Sequence, residues 1–181
     1  LKRSGWVRVS GRTGGYGVVV GDVVVKNNID VGGYTTGSYS ECTFVVDGDL
    51  TLTGELQMRK NSVVIVTGNL TCGKLFMKDG ARLYVKGKIT ANDMSYDGDS
   101  NQKIYCGGNA IIPHNLDSSR EFKIGGNLEA HELSLTYTNY YFGGSVKCTK
   151  FNAENNDMNL IVDSFECSGT TTLNNLSLIH I

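Results

Sequence analysis

Apolar residues fall at every second position over short runs, and the runs recur along the chain. Phe44/Val46, Val64/Val66, Leu83/Val85, Ile104/Cys106, Phe122/Ile124 and Tyr140/Phe142 are apolar pairs, each ending two residues before a glycine. Those glycines stand in Gly48-Asp49-Leu50, Gly68-Asn69-Leu70, Gly87-Lys88-Ile89, Gly108-Asn109-Ala110, Gly126-Asn127-Leu128 and Gly144-Ser145-Val146, stepping by 20, 19, 21, 18 and 18 residues. A second pair follows each glycine: Leu50/Leu52, Leu70/Cys72, Ile89/Ala91, Ala110/Ile112, Leu128/Ala130 and Val146/Cys148. A third comes later in most repeats: Leu56/Met58, Leu75/Met77, Met94/Tyr96, Leu133/Leu135 and Phe151/Ala153. A spacing of two puts both members on one face of a strand, so each repeat predicts three short strands with their apolar sides turned inward. A fixed period of this size without helical patterning is the mark of stacked coils. The predicted fold is all-β: a three-sided β-solenoid, a single-stranded β-helix, of about eight coils of 18–21 residues.

The corners carry Gly followed by Asp or Asn, residue types that tolerate positive φ at a tight bend. Pro113 is the only proline, as suits a chain whose backbone N–H groups are committed to neighbouring coils. An upstream coil reads through Val19, Gly21-Asp22, Val23, Val25, Ile29 and Val31, 27 residues before its successor, with the excess in a loop at 32–40. Downstream, Leu160, Val162, Phe165 and Cys167 predict a further coil, with a one-residue deletion near Asp163 and Ser164. One coil cannot bury its own apolar face, so residues 1–175 are expected to form one cooperative domain, a rod about 38 Å long at roughly 4.8 Å per coil. The last six residues, Leu176 to Ile181, correspond to the codons CTG TCT CTT ATA CAC ATC of a transposase adapter used in sequencing libraries. They are expected to be an artefact on a fragment of a metagenomic reading frame, and are left out of the fold.

Composition narrows the role. The chain has 181 residues, 40% of them hydrophobic, and a formal net charge of −1 without a basic run, so no nucleic-acid partner is expected. No segment has the length of a membrane-spanning helix. Five cysteines without C-x-x-C spacing favour a reduced protein and a cytoplasmic location, and Cys72, Cys106, Cys148 and Cys167 read as small core fillers. Cys42, six residues before Gly48 and outside the inward columns, is expected to be the thiol that reacts first.

Candidate chemistry is sparse. Gly11 to Gly17 is Gly-rich and holds Arg12, but it lacks a Gly-Lys-Ser/Thr ending and runs into a Val-rich strand. His114, His131 and His180 are isolated, and Asp49, Glu129, Glu166, Lys88 and Lys147 are scattered along an outer sheet without converging. No catalytic residue, metal ligand or cofactor is assigned. Thr51, Thr71 and Thr90 share an outward column, which continues with Ile111, Glu129 and Lys147 as a solvated face. One outward column differs: Val45, Ile65, Tyr84, Tyr105 and Tyr141, with Lys123 between the last two, is either a stabilising cross-strand ladder or an interaction stripe.

The alternation in Val66-Thr67-Gly68-Asn69-Leu70-Thr71-Cys72 and in Ile124-Gly125-Gly126-Asn127-Leu128-Glu129-Ala130 resembles the coils of bactofilin-like, polymer-forming β-helix proteins, over roughly residues 63–153. The resemblance implies a right-handed helix and a scaffold that associates end to end. The expected role is a non-enzymatic structural or interaction solenoid of bacterial or phage origin, a rigid spacer or a scaffold that assembles with itself or another protein. The alternatives are a fragment of an extracellular adhesin or passenger domain and, third, a polysaccharide-active β-helix enzyme.

Overall fold

The computed structural model describes residues 6–9, 15–35, 38–97, 102–118, 121–136, 139–154 and 159–174. Leu176 to Ile181, His180, Arg12 and most of the Gly-rich segment around it lie outside the described residues. Strands are stacked in three parallel ladders, one for each side of a coil. The first side stacks Gly15–Val20, Cys42–Asp47, Val63–Val66, Arg82–Val85, Lys103–Cys106 and Glu121–Ile124, then the leading parts of Asn139–Glu154 and Asn159–Asn174. The second side begins with Val23–Val25 and Leu50–Leu52 and continues through the leading parts of Leu70–Lys78, Ile89–Asp97, Ala110–Ser118 and Leu128–Leu135. The third side takes Trp6–Val9, Asn28–Val31, Glu55–Met58 and the trailing parts of the longer strands. The fold is thus an all-β parallel β-solenoid. Segments Gly33–Thr35 and Ser38–Ser40 pair antiparallel as a small hairpin beside it.

The pairing follows the hydrophobic columns residue by residue. Val46 lies against Val66, Val66 against Val85, Val85 against Cys106, Cys106 against Ile124, and Ile124 against Phe142. The upstream coil is in place, with Val19 on Val46, Val23 on Leu50 and Val31 on Met58. The downstream deletion is also there: Phe142 pairs Val162, but Ser145 pairs Ser164. Six turns, from Cys42 to Ala153, have inward side chains that are essentially all buried, Tyr96 being half-buried. The first and last layers are partly open, so the fully packed turns number slightly fewer than the eight coils expected.

Three details depart from the sequence-based expectation. Cys42 is not outside the core: the strand begins one pair earlier, and Cys42 is buried two residues before Phe44, its thiol pointing at the Val9 carbonyl. The missing third pair of one repeat is supplied by Leu116, which packs between Met94 and Leu133. An extra residue at Pro113-His114 shifts the register there, as a bulge does. Most anchor glycines also have a different cause from the one expected. Gly21 does have φ of 98°, but Gly68, Gly87, Gly108, Gly126 and Gly144 are not among the positive-φ residues. At Gly68 a Cβ would stand 2.7 Å from the Gly48 carbonyl oxygen and 2.1 Å from Asp49 Oδ1. The glycine is required by the close approach of the previous corner.

That approach lets the residue after each glycine reach the next coil. Asp22 Oδ1 accepts from Asp49 N at 2.9 Å, Asp49 Oδ1 from Asn69 N at 2.7 Å, and Asn69 Oδ1 from Lys88 N at 2.9 Å. The series resumes with Asn109 Oδ1 accepting from Asn127 N and Asn127 Oδ1 from Ser145 N, each at 2.9 Å. Lys88 offers no acceptor, so the side-chain ladder is interrupted at one corner.

Two stability predictions follow from this register. Leu128→Asp places a carboxylate in a column that is 1% exposed and should cost about 4 kcal/mol or more, whereas Glu129→Ala on the outer face should be nearly neutral in the same urea melts. Lys88→Asn restores the missing acceptor beneath Asn109 and should raise the unfolding free energy from the same melts by about 0.5–1 kcal/mol for one hydrogen bond.

Candidate functional site

The first side of the solenoid carries the candidate surface because its outward positions alternate with fully buried ones. Val45, Ile65, Tyr84, Tyr105, Lys123 and Tyr141 stand directly over one another, extended by Ile161. All five stripe residues expected from the sequence are thus brought into one column. Val45, Ile65, Tyr84 and Tyr105 are half-buried, whereas Tyr141 is 44% exposed.

The coil repeat sets the ring geometry. Tyr84 and Tyr105 stack with centroids 5.0 Å apart and planes within 5°, close to the roughly 4.8 Å between adjacent strands. Lys123 Nζ sits 5.5 Å from the centroid of the Tyr105 ring on the next coil. Both faces of Tyr105 are therefore covered by its own column, and only its edge and hydroxyl face outward. A flat ligand such as a sugar ring cannot stack on it.

A polar cluster adjoins the rings. Glu121 accepts from Lys103 Nζ at 2.8 Å and from Lys123 Nζ at 2.6 Å, and the Tyr105 hydroxyl donates to the same carboxylate. The two ammonium groups, with a smaller contribution from the Tyr105 hydroxyl, hold the Glu121 carboxyl down to about 2. Hydrogen bonding to Glu121 raises Lys103 and Lys123, and burial followed by the Glu121 hydrogen bond raises Tyr105. None of these groups is left with the mobile proton a general acid or base needs near neutral pH.

Beside the rings runs a shallow, mostly apolar groove of about 440 Å³, walled by Ile65, Tyr84, Tyr105 and Tyr141 and floored by the backbone at Gly107 and Gly125. Here too the glycines answer to packing: a Cβ on Gly107 would come within 2.3 Å of the Lys86 carbonyl oxygen, and one on Gly125 within 2.5 Å of that of Gly107. Sequence reading missed Lys103, Glu121 and the glycine floor. The signal was present at period two, since Lys103 and Glu121 stand two residues before Tyr105 and Lys123.

The remaining candidates do not converge. His114 Nδ1 is 3.8 Å from Asp93 Oδ1 at an exposed corner, and Lys147 meets Glu166 at 3.6 Å on the second side. Among the described residues, no three of His, Cys, Asp and Glu come together as ligands for a metal ion, and no helix is long and apolar enough to cross a membrane. No family model, curated protein or solved structure matches the chain.

The ion cluster predicts a pH signature. Because the folded pKa of Glu121 lies below the ordinary 4.5, its stabilising contribution is complete above that value and is lost as pH falls toward 2. Glu121→Gln should therefore lower stability by less than about 1 kcal/mol at pH 7, since the cluster is solvent-screened, and the gap to the parent should close between roughly pH 4.5 and 2 in denaturant melts.

Proposed function

We propose that this chain is a non-enzymatic structural solenoid, a rigid spacer or scaffold that extends by adding layers from a second copy. One observation carries the reading. From Cys42 to Ala153, inward side chains, main-chain ladders and, except at Lys88, the corner Asx side chains are committed to neighbouring layers, so the stack is periodic along its axis. Such a stack presents parallel strand edges at any layer that lacks a neighbour, and a second copy supplying the next layer would pair them. Among the described residues no strand pairs with the outer edge of Asn159–Asn174, and inward-column Leu173 is 51% exposed there.

The resemblance to bactofilin-like coils supports the same reading, as does the aromatic column, whose rings are used by one another. The five free cysteines fit a reducing, cytoplasmic location, which is part of the proposal.

Light scattering and sedimentation over a concentration series test it. The parent should associate into elongated species, and Leu173→Lys, which sets a charge in the open inward column, should abolish that association. Tyr84→Ser combined with Tyr105→Ser should leave it intact. If the double variant alone dissociates the species, the side stripe is the docking surface and end-to-end stacking is wrong. If all three remain monomeric, only the rigid spacer survives.

A further inference from the structure

The second side of the solenoid holds a feature that a scaffold does not need. Cys148 and Cys167 are directly opposed in adjacent parallel strands, both in the inward column. The Cys167 thiol is directed at the carbonyl oxygens of Thr149, the residue next to Cys148, and of Thr170, each 3.5 Å away. No other cysteine has this arrangement among the described residues: Cys72, earlier in the same column, faces Ala91, and Cys106 lies between Val85 and Ile124 on another side. All five are free thiols.

The two sulfurs are not equivalent. Cys148 is buried, and burial together with the charge of its neighbour pushes its thiol up to about 12. Cys167 is only half-buried, and contacts from the Thr171 side chain and the Gly169 backbone lower its thiol. An accessible thiol of lowered pKa beside a protected partner is the arrangement of an attacking and a resolving cysteine.

We propose that Cys148 and Cys167 form a reversible disulfide that staples the layer Asn159–Asn174 to the one before it, with a low-molecular-weight disulfide as oxidant. The Cys167 thiolate attacks one sulfur of the oxidant, forming a mixed disulfide and releasing one small thiol. Cys148 then gives up its proton and attacks Sγ of Cys167, releasing the second. Two protein thiols are oxidised and one small disulfide is reduced to two thiols, so electrons and protons balance.

Geometry allows the bond and makes it labile. In-register partners on parallel strands stand about 4.8 Å apart, inside the Cα range for disulfides, while their Cβ atoms must close to within about 4.5 Å. The layer Asn159–Asn174 has to move in by a few tenths of an ångström for the bond to close. A bond formed under that strain is easily reduced again. The attack needs Cys167 accessible, so the bond forms in a chain whose Asn159–Asn174 edge is uncovered, before the second copy of the scaffold reading is added there.

The test is incubation of the folded, full chain with oxidised glutathione, followed by intact mass and peptide mapping. The expected product has lost two hydrogens, retains no glutathione, links Cys148 to Cys167, and melts at a higher temperature until dithiothreitol reverses it. Cys148→Ala introduces the residue that Ala91 and Ala130 already provide in this column, so the fold is kept, and this variant should trap one glutathionyl group on Cys167. Cys167→Ser should take up neither modification. The proposal is overturned if the folded protein keeps five thiols while urea-unfolded protein is oxidised, if Cys167 links two chains instead, or if Cys167 stays unmodified in the Cys148→Ala variant.

Discussion

The structure depends on the spacing between successive coils at the corners. Strands joined by main-chain hydrogen bonds lie roughly 4.8 Å apart, and at a bend no room remains for a side chain between one corner and the next. The cost of a methyl group there is steric: the Cβ positions at Gly68, Gly87 and Gly126 all fall within 2.7 Å of an atom on the preceding coil. Glycine relieves the contact, and the corner N–H groups then donate to the carbonyls below, as Gly68 N does to Gly48 O at 2.9 Å and Gly87 N to Gly68 O at 2.9 Å. The neighbouring Asp or Asn adds a side-chain acceptor to the same seam. Glycine spacing, the Asx residue after it and the register of three ladders are consequences of one distance.

The same distance shapes the outer face. Two flat rings on consecutive coils are held at nearly the separation at which aromatic faces meet, which is why Tyr84 and Tyr105 are almost parallel. Lys123 then caps the stack, and its charge is balanced through Glu121, which also binds Lys103. Outward residues in a solenoid are therefore not free in the way that loop residues are. Each has a neighbour above and below at fixed spacing, and ring stacking, cation contact and ion pairing use that spacing before any ligand can.

The fold was legible in the sequence because inward positions have only one task. Phe44/Val46 through Tyr140/Phe142 have to be apolar at period two, and a one-residue error in any of them would expose a whole side. Legibility failed where a local irregularity offset the count. Pro113-His114 delays Leu116 by one residue, so its column looked empty, and an early strand start brought Cys42 into the core. The glycines were located correctly but mostly attributed to φ rather than to contact, because the contact partner is about nineteen residues away and invisible to local turn rules. The candidate stripe was legible as a column, but its polar neighbours Lys103 and Glu121 were not, since single charged residues look alike until the register places them against each other.

Layers covered on both sides and layers covered on one side face different constraints, and this separates structural residues from adaptable ones. An interior layer is held from both sides, and its small residues, such as Ala91 and Ala130, tolerate no displacement without disturbing two neighbours. In the layer Asn159–Asn174, Phe165 and Cys167 occupy the equivalent inward positions but are only partly covered. Burial suppresses ionisation at Cys72, whereas at the half-buried Cys167 contacts from the Thr171 side chain and the Gly169 backbone lower the thiol. Reactivity in a repeat fold is set by layer as much as by residue type, so any chemistry this chain carries is expected where the periodic constraint is weakest.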